Sequence, residues 1–484
     1  MKTEVFLGLD LGGTGAKAGA FDRSGTMLGF GRCSYTPCIS EPGHVEIPVN
    51  DIYTAALRAV REALKKHHPH VLALAISSQG QTFVSLDAND TPLHPAIVWY
   101  DNRASEQAKR IKDVLCRKGE KIPAIQTIST AAKIMWLKEH FPTMMQNARR
   151  YLLLPDYFTY RLTGKAITDP NTASSTALFA EDAERYDCQA LAATGIEENQ
   201  LAEILPSGSP VAHVLPQLAD EWGLSPETLV VTGTNDQYAG ALGAGNCHPG
   251  ILTETTGTCL ALVTLTKQLP EPLPDGLLGG RFPIQCYQFA LAYSKTAGVV
   301  VEWFKRECCH NIRFSELNKI AEHVPVGCHG LTMLPHFDGM ISPVPNPHVR
   351  GAFCYLTLQH TRQDMYRAIL ESLTFSLLDS IEFLQQQGFQ MNVIRSIGGG
   401  AKNDMWLQMK ADALGRPIEK PMITEAAVLG AAMLAASGYG EFSSLAEASA
   451  ALYQKQGVFN PNKANHQAYK EPYQRYKNLF KILS

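Results

Sequence analysis

Residues 9–22 read LDLGGTGAKAGAFD, and two incompatible readings compete for them. From Gly13 the run Gly13-Thr14-Gly15-Ala16-Lys17-Ala18 fits the GxGxxA form of a dinucleotide-binding fingerprint. From Asp10 it is an acid leading into a glycine-rich turn. The fingerprint requires the glycine loop to open a helix whose N-terminus faces a pyrophosphate. Gly15, Gly19, Gly25, Gly29 and Gly31 crowd the segment, and each interior glycine costs a helix about 0.8–1 kcal/mol relative to alanine. A β-hairpin accommodates them far better. Asp10 would also repel a bare pyrophosphate, whereas a carboxylate beside a phosphate turn makes sense with Mg2+ between them. The stretch therefore predicts a phosphate-binding hairpin, and an NAD-dependent dehydrogenase becomes the lesser reading. The chain contains no GxxxxGK[ST], so nothing supports a P-loop kinase.

The rest of the composition narrows the class. A chain of 484 residues exceeds one ordinary core and predicts two domains. With 45% apolar and 18% charged residues it is globular, and a net charge of -3 without basic runs argues against a nucleic-acid partner. Eleven cysteines without any CxxC read as reduced thiols, neither a disulfide framework nor structural zinc. The early VFLGL is too short for a signal core. The apolar run EAAVLGAAMLAASG spans about a dozen residues against the roughly 20 a bilayer needs. A cytoplasmic enzyme with no membrane partner is expected.

Along the chain, EVFLGLDLG, AKAGAFD and TMLGFGRCSY read as three extended runs, and VNDIYTAALRAVREALKKHH has helical periodicity with Asn50 or Asp51 as its cap. VLALAISSQ is a short buried strand. After the middle, GILTETTGTCLALVTL again gives strand, glycine turn, strand, and VIRSIGGG is a buried strand ending in glycines. RQDMYRAILESLTFSLLDSIEFLQQQG and NDMWLQMKADALG are helices closed by Gly388 and Gly415. Both halves thus place a glycine-threonine turn after an early strand. Gly and Pro cluster in ALGAGNCHPG, which puts the boundary near 243–252 and the domains at 1–245 and 246–484. Asp236, in GTNDQYAG, reads either as the cap of a following helix or as a base flanked by Gly233 and Gly240.

A series of short matches in order then carries a resemblance: GLDLGGTGAKAGAFD, PLHPAIVWYDNRA, LLLPDYFTYRLTGKAITDPNTASST, VVTGTNDQYAGALGAG, ETTGTC, LPHFDGMISPVPNPHVRGAF, YRAILESLTF and IGGGAKNDMWLQMKADALGRP. The chain resembles the FGGY carbohydrate kinases over nearly its whole length. The resemblance implies an α/β fold of two actin-like (ribonuclease H-like) ATPase domains with a catalytic cleft between them. It implies transfer of the γ-phosphoryl group of ATP to a hydroxyl of a small sugar, with Mg2+.

Under this resemblance Asp236 is the catalytic base and Asp10 the metal ligand. Gly12, Gly13, Thr14 and Lys17 form the first phosphate turn, and Thr256, Gly257 and Thr258 the second. Gly298, Gly399, Gly400, Ala401 and Asn403 line the nucleotide. Gln79, Gln81, Thr82, Trp99 and Gln237, with Asp236, face the sugar, and Asp101 and Arg103 support that loop. Glycerol kinases carry Arg-Glu where this chain has Gly80-Gln81, and xylulokinases usually carry Met-His. Both departures leave the sugar open, with a ketose such as a xylulose ahead of a polyol such as glycerol or a tetritol. A non-catalytic sugar- or nucleotide-binding regulator would need Asp10 or Asp236 to be lost, and both are present. The resemblance is also compatible with a homodimer.

Overall fold

The opening stretch forms two antiparallel strands. In the computed structural model, which describes residues 3–41, 43–116, 128–180 and 184–483, β1 (Glu4–Gly12) turns through Gly13-Thr14 into β2 (Gly15–Phe21), and β3 (Met27–Ser34) continues the meander. The glycines serve close packing. A Cβ at Gly29 or Gly31 would lie 1.9 or 2.0 Å from the carbonyl oxygen of Ala63 or Ala59 on α1 (Val49–Lys65). That helix buries Ile52, Ala55, Ala56, Ala59, Val60, Ala63 and Leu64 on one face, the stripe expected of an amphipathic helix. It begins directly after Pro48, whose carbonyl accepts from Asp51 and Ile52 N–H. The expected Asn50 or Asp51 side-chain cap is absent, because proline has preset the entry into the helix.

β4 (His70–Ser78) and β5 (Leu229–Asn235) pair in parallel on the other side of β1, giving the order β5-β4-β1-β2-β3 with Pro210–His213 outside β5. Strands covered on both faces read as continuous apolar runs, which is why VLALAIS lacks alternation. α2 (Asp236–Gly243) follows β5 without a loop.

The second half repeats the pattern. β6 (Gly250–Thr256), β7 (Leu260–Thr266) and β8 (Gln288–Ser294) form an antiparallel meander, and β9 (Met391–Ile397) and β10 (Ile418–Pro421) add in parallel, in the order β8-β7-β6-β9-β10. Each half thus carries the ribonuclease H-like order, and the fold is α/β of the two-domain actin-like type. α3 (Gly298–Cys308) follows β8. The long α4 (Arg362–Gln386) starts in a capping box of Thr361 and Asp364 and supplies much of this half's core. α5 (Asp404–Leu414) ends at Gly415 with φ of 63°, a left-handed closure that glycine adopts at little cost.

The chain does not divide simply at its midpoint. One compact unit comprises Met1–Gly245, Gly280–Gln285 and Ala426–Leu452; the other comprises Asn246–Gly279, Cys286–Glu425 and Tyr453–Ser484. By compactness, residues 280–285 and 426–452 of the expected 246–484 domain group with the first unit. The physical reason for the larger exchange is α6 (Ala426–Tyr439), buried along most of its length and built of small residues. Gly8 of β1 lets it approach so closely that a Cβ there would sit 1.9 Å from the Val428 carbonyl oxygen. A Cβ at Gly430 would sit 1.8 Å from the Ala239 carbonyl oxygen of α2. The apolar run that could have suggested a membrane segment is this cover helix, and among the described residues no helix is long and apolar enough to cross a membrane.

Candidate active site

The first unit gathers charged side chains at the open ends of its central strands. Asp10 pairs in register with Lys17 across the hairpin and with Ser77 on β4. The Ser77 hydroxyl donates to Asp10 Oδ1 at 2.9 Å. Asp236 lies at the end of β5 beside them. A Cβ at Gly233 would meet the Ile76 carbonyl oxygen at 1.7 Å, and the β4–β5 register shifts between Val231 and Thr234. Such an irregularity re-aims the residues that follow it. Asn235, not Asp236, caps α2: its Oδ1 accepts from Gln237 N–H at 2.9 Å. The purely structural role open to Asp236 in the sequence is therefore filled by its neighbour.

The Asp236 carboxyl keeps partial access to solvent, yet its dense surroundings push its pKa up to about 7. Desolvation is the main cause and the Asp10 charge adds to it, while hydrogen bonds from Gln237 and the Lys17 charge pull the other way. A carboxyl tuned toward neutral pH can accept a proton from a hydroxyl that attacks an electrophile.

Two amides beside this acid pair point to a ligand. Gln79 is 3% exposed and neither amide atom has a hydrogen-bond partner, and Gln237 Oε1 is likewise buried without one. Leaving such a group unpaired costs about 1–3 kcal/mol, which a polar ligand would offset. Gln79 Oε1 lies 3.3 Å from where a Cβ on Gly13 would stand. The turn itself is braced by Tyr35, whose hydroxyl donates to the Gly12 carbonyl and whose N–H donates to the Thr14 carbonyl at 3.1 Å.

Other residues expected at the sugar have structural duties. Thr82 is fully buried and its hydroxyl accepts from Trp99 N–H at 3.0 Å, so it shapes the loop. Thr130 grips the Gln81 carbonyl at 3.1 Å. Trp99 is partly exposed, edge-on to Tyr100. Its carbonyl and that of Val98 accept from the wholly buried Lys133 ammonium at 2.9 and 2.7 Å. Desolvation lowers the Lys133 pKa to about 7, with Asp101 opposing it. Asp101 binds Arg103 through both carboxylate oxygens and also accepts from Val45 N–H, anchoring the same loop.

The second unit brings its own candidate residues together. Gly298 N–H donates to the Gly257 carbonyl at 2.9 Å, and a Cβ at Gly298 would lie 2.3 Å from that oxygen. A Cβ at Gly400 would lie 2.7 Å from Thr256 Cβ, and Gly398, at φ of 79°, lies against the Thr256 carbonyl. Asn403 caps α5, its Oδ1 accepting from Trp406 N–H at 3.2 Å. Thr258 is exposed and Gly257 half-buried, so this part of the turn is presented outward. Thr256 differs: its hydroxyl donates to Glu254 and accepts from Lys410 Nζ at 3.0 Å, leaving the backbone as its outward contribution.

Residues 5–243 match the N-terminal domain, and residues 255–439 the C-terminal domain, of the FGGY family of carbohydrate kinases. The chain belongs to this family. Its relatives include a xylulose kinase of Staphylococcus epidermidis, 30% identical over 99% of this chain and 97% of that protein. They also include a glycerol kinase of Solidesulfovibrio magneticus, 30% identical over 95% and 94%. The crystal structure of a "xyloylose kinase" from Brucella ovis superposes with a TM-score of 0.87 at 26% identity, covering 99% of both chains. As an FGGY carbohydrate kinase, the protein is a phosphotransferase with an alcohol acceptor, and ATP is the substrate the family implies.

Tyr35, Ser77, Lys133, Glu254 and Lys410 were missed by sequence reasoning. Lys410 carried a signal: it sits four residues from both Trp406 and Leu414, on the apolar face of its helix.

Proposed function

We propose that this kinase phosphorylates a small ketose, a pentulose such as xylulose, with Asp236 as the base. The observation that carries the reading is the grouping of Asp236 with Asp10 and Lys17, flanked by the unpartnered Gln79 amide and by Gln237 Oε1, which is also buried without a partner. The sugar oxygen forms a bond to the γ-phosphorus as the bond to ADP breaks, and the hydroxyl proton passes to the Asp236 carboxylate. Gly12, Gly13, Thr14 and Lys17 hold phosphate oxygens in the first unit. Gly257, Thr258 and the Thr256 backbone do so in the second, and Gly298, Gly399, Gly400, Ala401 and Asn403 receive the rest of the nucleotide.

The donor set fits Mg2+. Among the described residues no group of three or more acids, histidines or cysteines could hold a metal alone. Mg2+ commonly binds through one or two carboxylates plus waters and substrate phosphates. Asp10 would hold it, and it would neutralise phosphate charge as transfer proceeds. The xylulose kinases among the relatives support a pentulose. Gly80 adds a chain-specific detail: the space beside it is filled by Asn235 Nδ2 and Ser175 Oγ, 2.8 and 3.4 Å from a Cβ placed there. Polar groups there suit a hydroxyl-bearing acceptor. The glycerol kinase relative keeps a polyol as the second reading.

The test is coupled ADP release with Mg2+ across pentuloses, hexuloses, gluconate, tetritols and glycerol. A pentulose should give the highest kcat/KM. A higher value for glycerol or a tetritol would move the assignment to a polyol, and no response from any acceptor would defeat the reading.

A further inference from the structure

The second unit contains a buried ion pair that the phosphoryl-transfer scheme does not use. Glu254, on β6, is 0% exposed and Lys410, on α5, is 1% exposed, with Lys410 Nζ 2.9 Å from Glu254 Oε2. The carboxylate accepts three hydrogen bonds: one oxygen takes the Thr256 hydroxyl, the other the Ser396 hydroxyl and Lys410. Lys410 also donates to Thr256 Oγ1 at 3.0 Å and stands 4.7 Å from the centre of the Trp406 ring. The network therefore ties together the end of β6, the end of β9 and helix α5. The glycine run 398–400 continues directly from β9, and Asn403 opens α5.

Burying an ion pair is seldom the most stable way to fill a core, since apolar side chains of similar volume often match or exceed it. What apolar packing cannot supply is direction. Here the directed bonds fix the rotamer of Thr256 and turn its hydroxyl inward. They also hold the Thr256–Thr258 backbone against Gly400 and Gly298, whose missing Cβ atoms make room for it.

We propose that Glu254 and Lys410 are positioning residues for the Thr256–Thr258 turn. On this view the pair sets nucleotide affinity from beneath the turn without touching the nucleotide. The proposal rests on the reading that this turn holds phosphates. It also separates Glu254 from Asp10. Both are acids two residues before a turn, each bonded to a serine on the parallel neighbour, yet Glu254 is committed to a lysine and is not a metal ligand.

The experiment titrates ADP onto the full-length protein by calorimetry, alongside KM for ATP, KM for sugar and melting temperature. The apolar double variant Glu254→Leu/Lys410→Met removes both charges together and should melt close to the wild type. Its ADP affinity should fall about tenfold or more, while KM for sugar stays within about twofold. Thr256→Val, which leaves both charges paired, should weaken ADP in the same direction. A folded double variant with wild-type ADP affinity would reduce the pair to core packing. Wild-type affinity in Thr256→Val would overturn the proposal even if the double variant failed to fold. An equal rise in KM for sugar and ATP would also overturn it. Absence of ADP binding by the wild-type protein would instead remove the nucleotide reading itself, and the proposal with it.

Discussion

The two sheets of this protein share a strand order and differ in what they do with the same acid position. In the first, Asp10 lies on the opening strand, bonded to Ser77 on the parallel neighbour, with Lys17 opposite it on the hairpin and Asp236 nearby. In the second, Glu254 lies on the opening strand, bonded to Ser396 on the parallel neighbour, with Leu262 opposite it on the hairpin and Lys410 rising from α5 to neutralise it. One carboxylate lies among a lysine and a second acid, and the other is paired with a lysine in the core. The first arrangement holds charge in a strained balance that a metal or a proton can change. The second consumes its charge internally and leaves only a shaped backbone. Topology alone therefore does not specify chemistry; one residue across the hairpin and one helix position decide it.

Removing the proposed base should give the largest effect. Asp236→Asn should lower kcat about 10²- to 10⁴-fold, while ADP binding changes by less than about twofold. The same variant should melt higher than wild type at pH 8 but not at pH 5. The Asp236 pKa is raised in the folded protein, so the proton it retains stabilises the fold at low pH. That contribution disappears as pH rises through about 7, and asparagine escapes the loss. A Tm gain that did not depend on pH would contradict the balance described for the first sheet.

The paired acids offer the sharpest test of the comparison. Asp10→Asn should raise the Mg2+ concentration needed for half-maximal activity while leaving the melting temperature near that of wild type. Glu254→Gln should leave that concentration unchanged but strand the Lys410 ammonium, a cost of about 3–5 kcal/mol read from denaturant melts. If the Glu254 variant altered the Mg2+ requirement, the two acids would be alike after all.

A smaller effect is expected in the pH profile. With both substrates below saturation, kcat/KM should fall about tenfold per pH unit below about 7, because the base must be deprotonated. Asp10→Asn should move that acid limb downward, since the Asp10 charge helps raise the Asp236 pKa. A limb left in place would mean that Asp10 does not act on the base. The mildest change is Gln79→Leu, which should raise KM for the sugar several-fold at unchanged or higher Tm. The buried amide has no partner to lose in the folded protein. A fall in Tm with unaltered KM would make Gln79 structural.

Much of this was legible in the sequence where local rules act. Glycine spacing excluded a helix after Asp10, helical periodicity gave α1, and Gly388 and Gly415 marked the ends of α4 and α5. What was not legible depends on residues distant in sequence. Asp236 could not be told from a helix cap until Asn235 was seen to cap α2. Thr256, expected in the second phosphate turn, has its hydroxyl bonded to Glu254 and to Lys410, 154 residues away, which spacing does not encode. Thr82 was read as a sugar contact, and its bond to Trp99 N–H is a loop contact that spacing does not encode. The placement of 426–452 with the first unit depends on Gly8 and Gly430 leaving room for close approach, and periodicity carries no address for a packing partner.

That last feature bears on how the protein is made. The sheet that carries Asp10 is roofed by a helix, Ala426–Tyr439, that is synthesised long after the strands it covers. Until then the Gly8 face of β1 and the Ala239 face of α2 lack their cover. Fragments ending near residue 245 should accordingly be insoluble or dependent on chaperones, whereas supplying 426–452 as a separate peptide should rescue them. The sheet that carries the proposed base and metal ligand thus receives its cover late in synthesis.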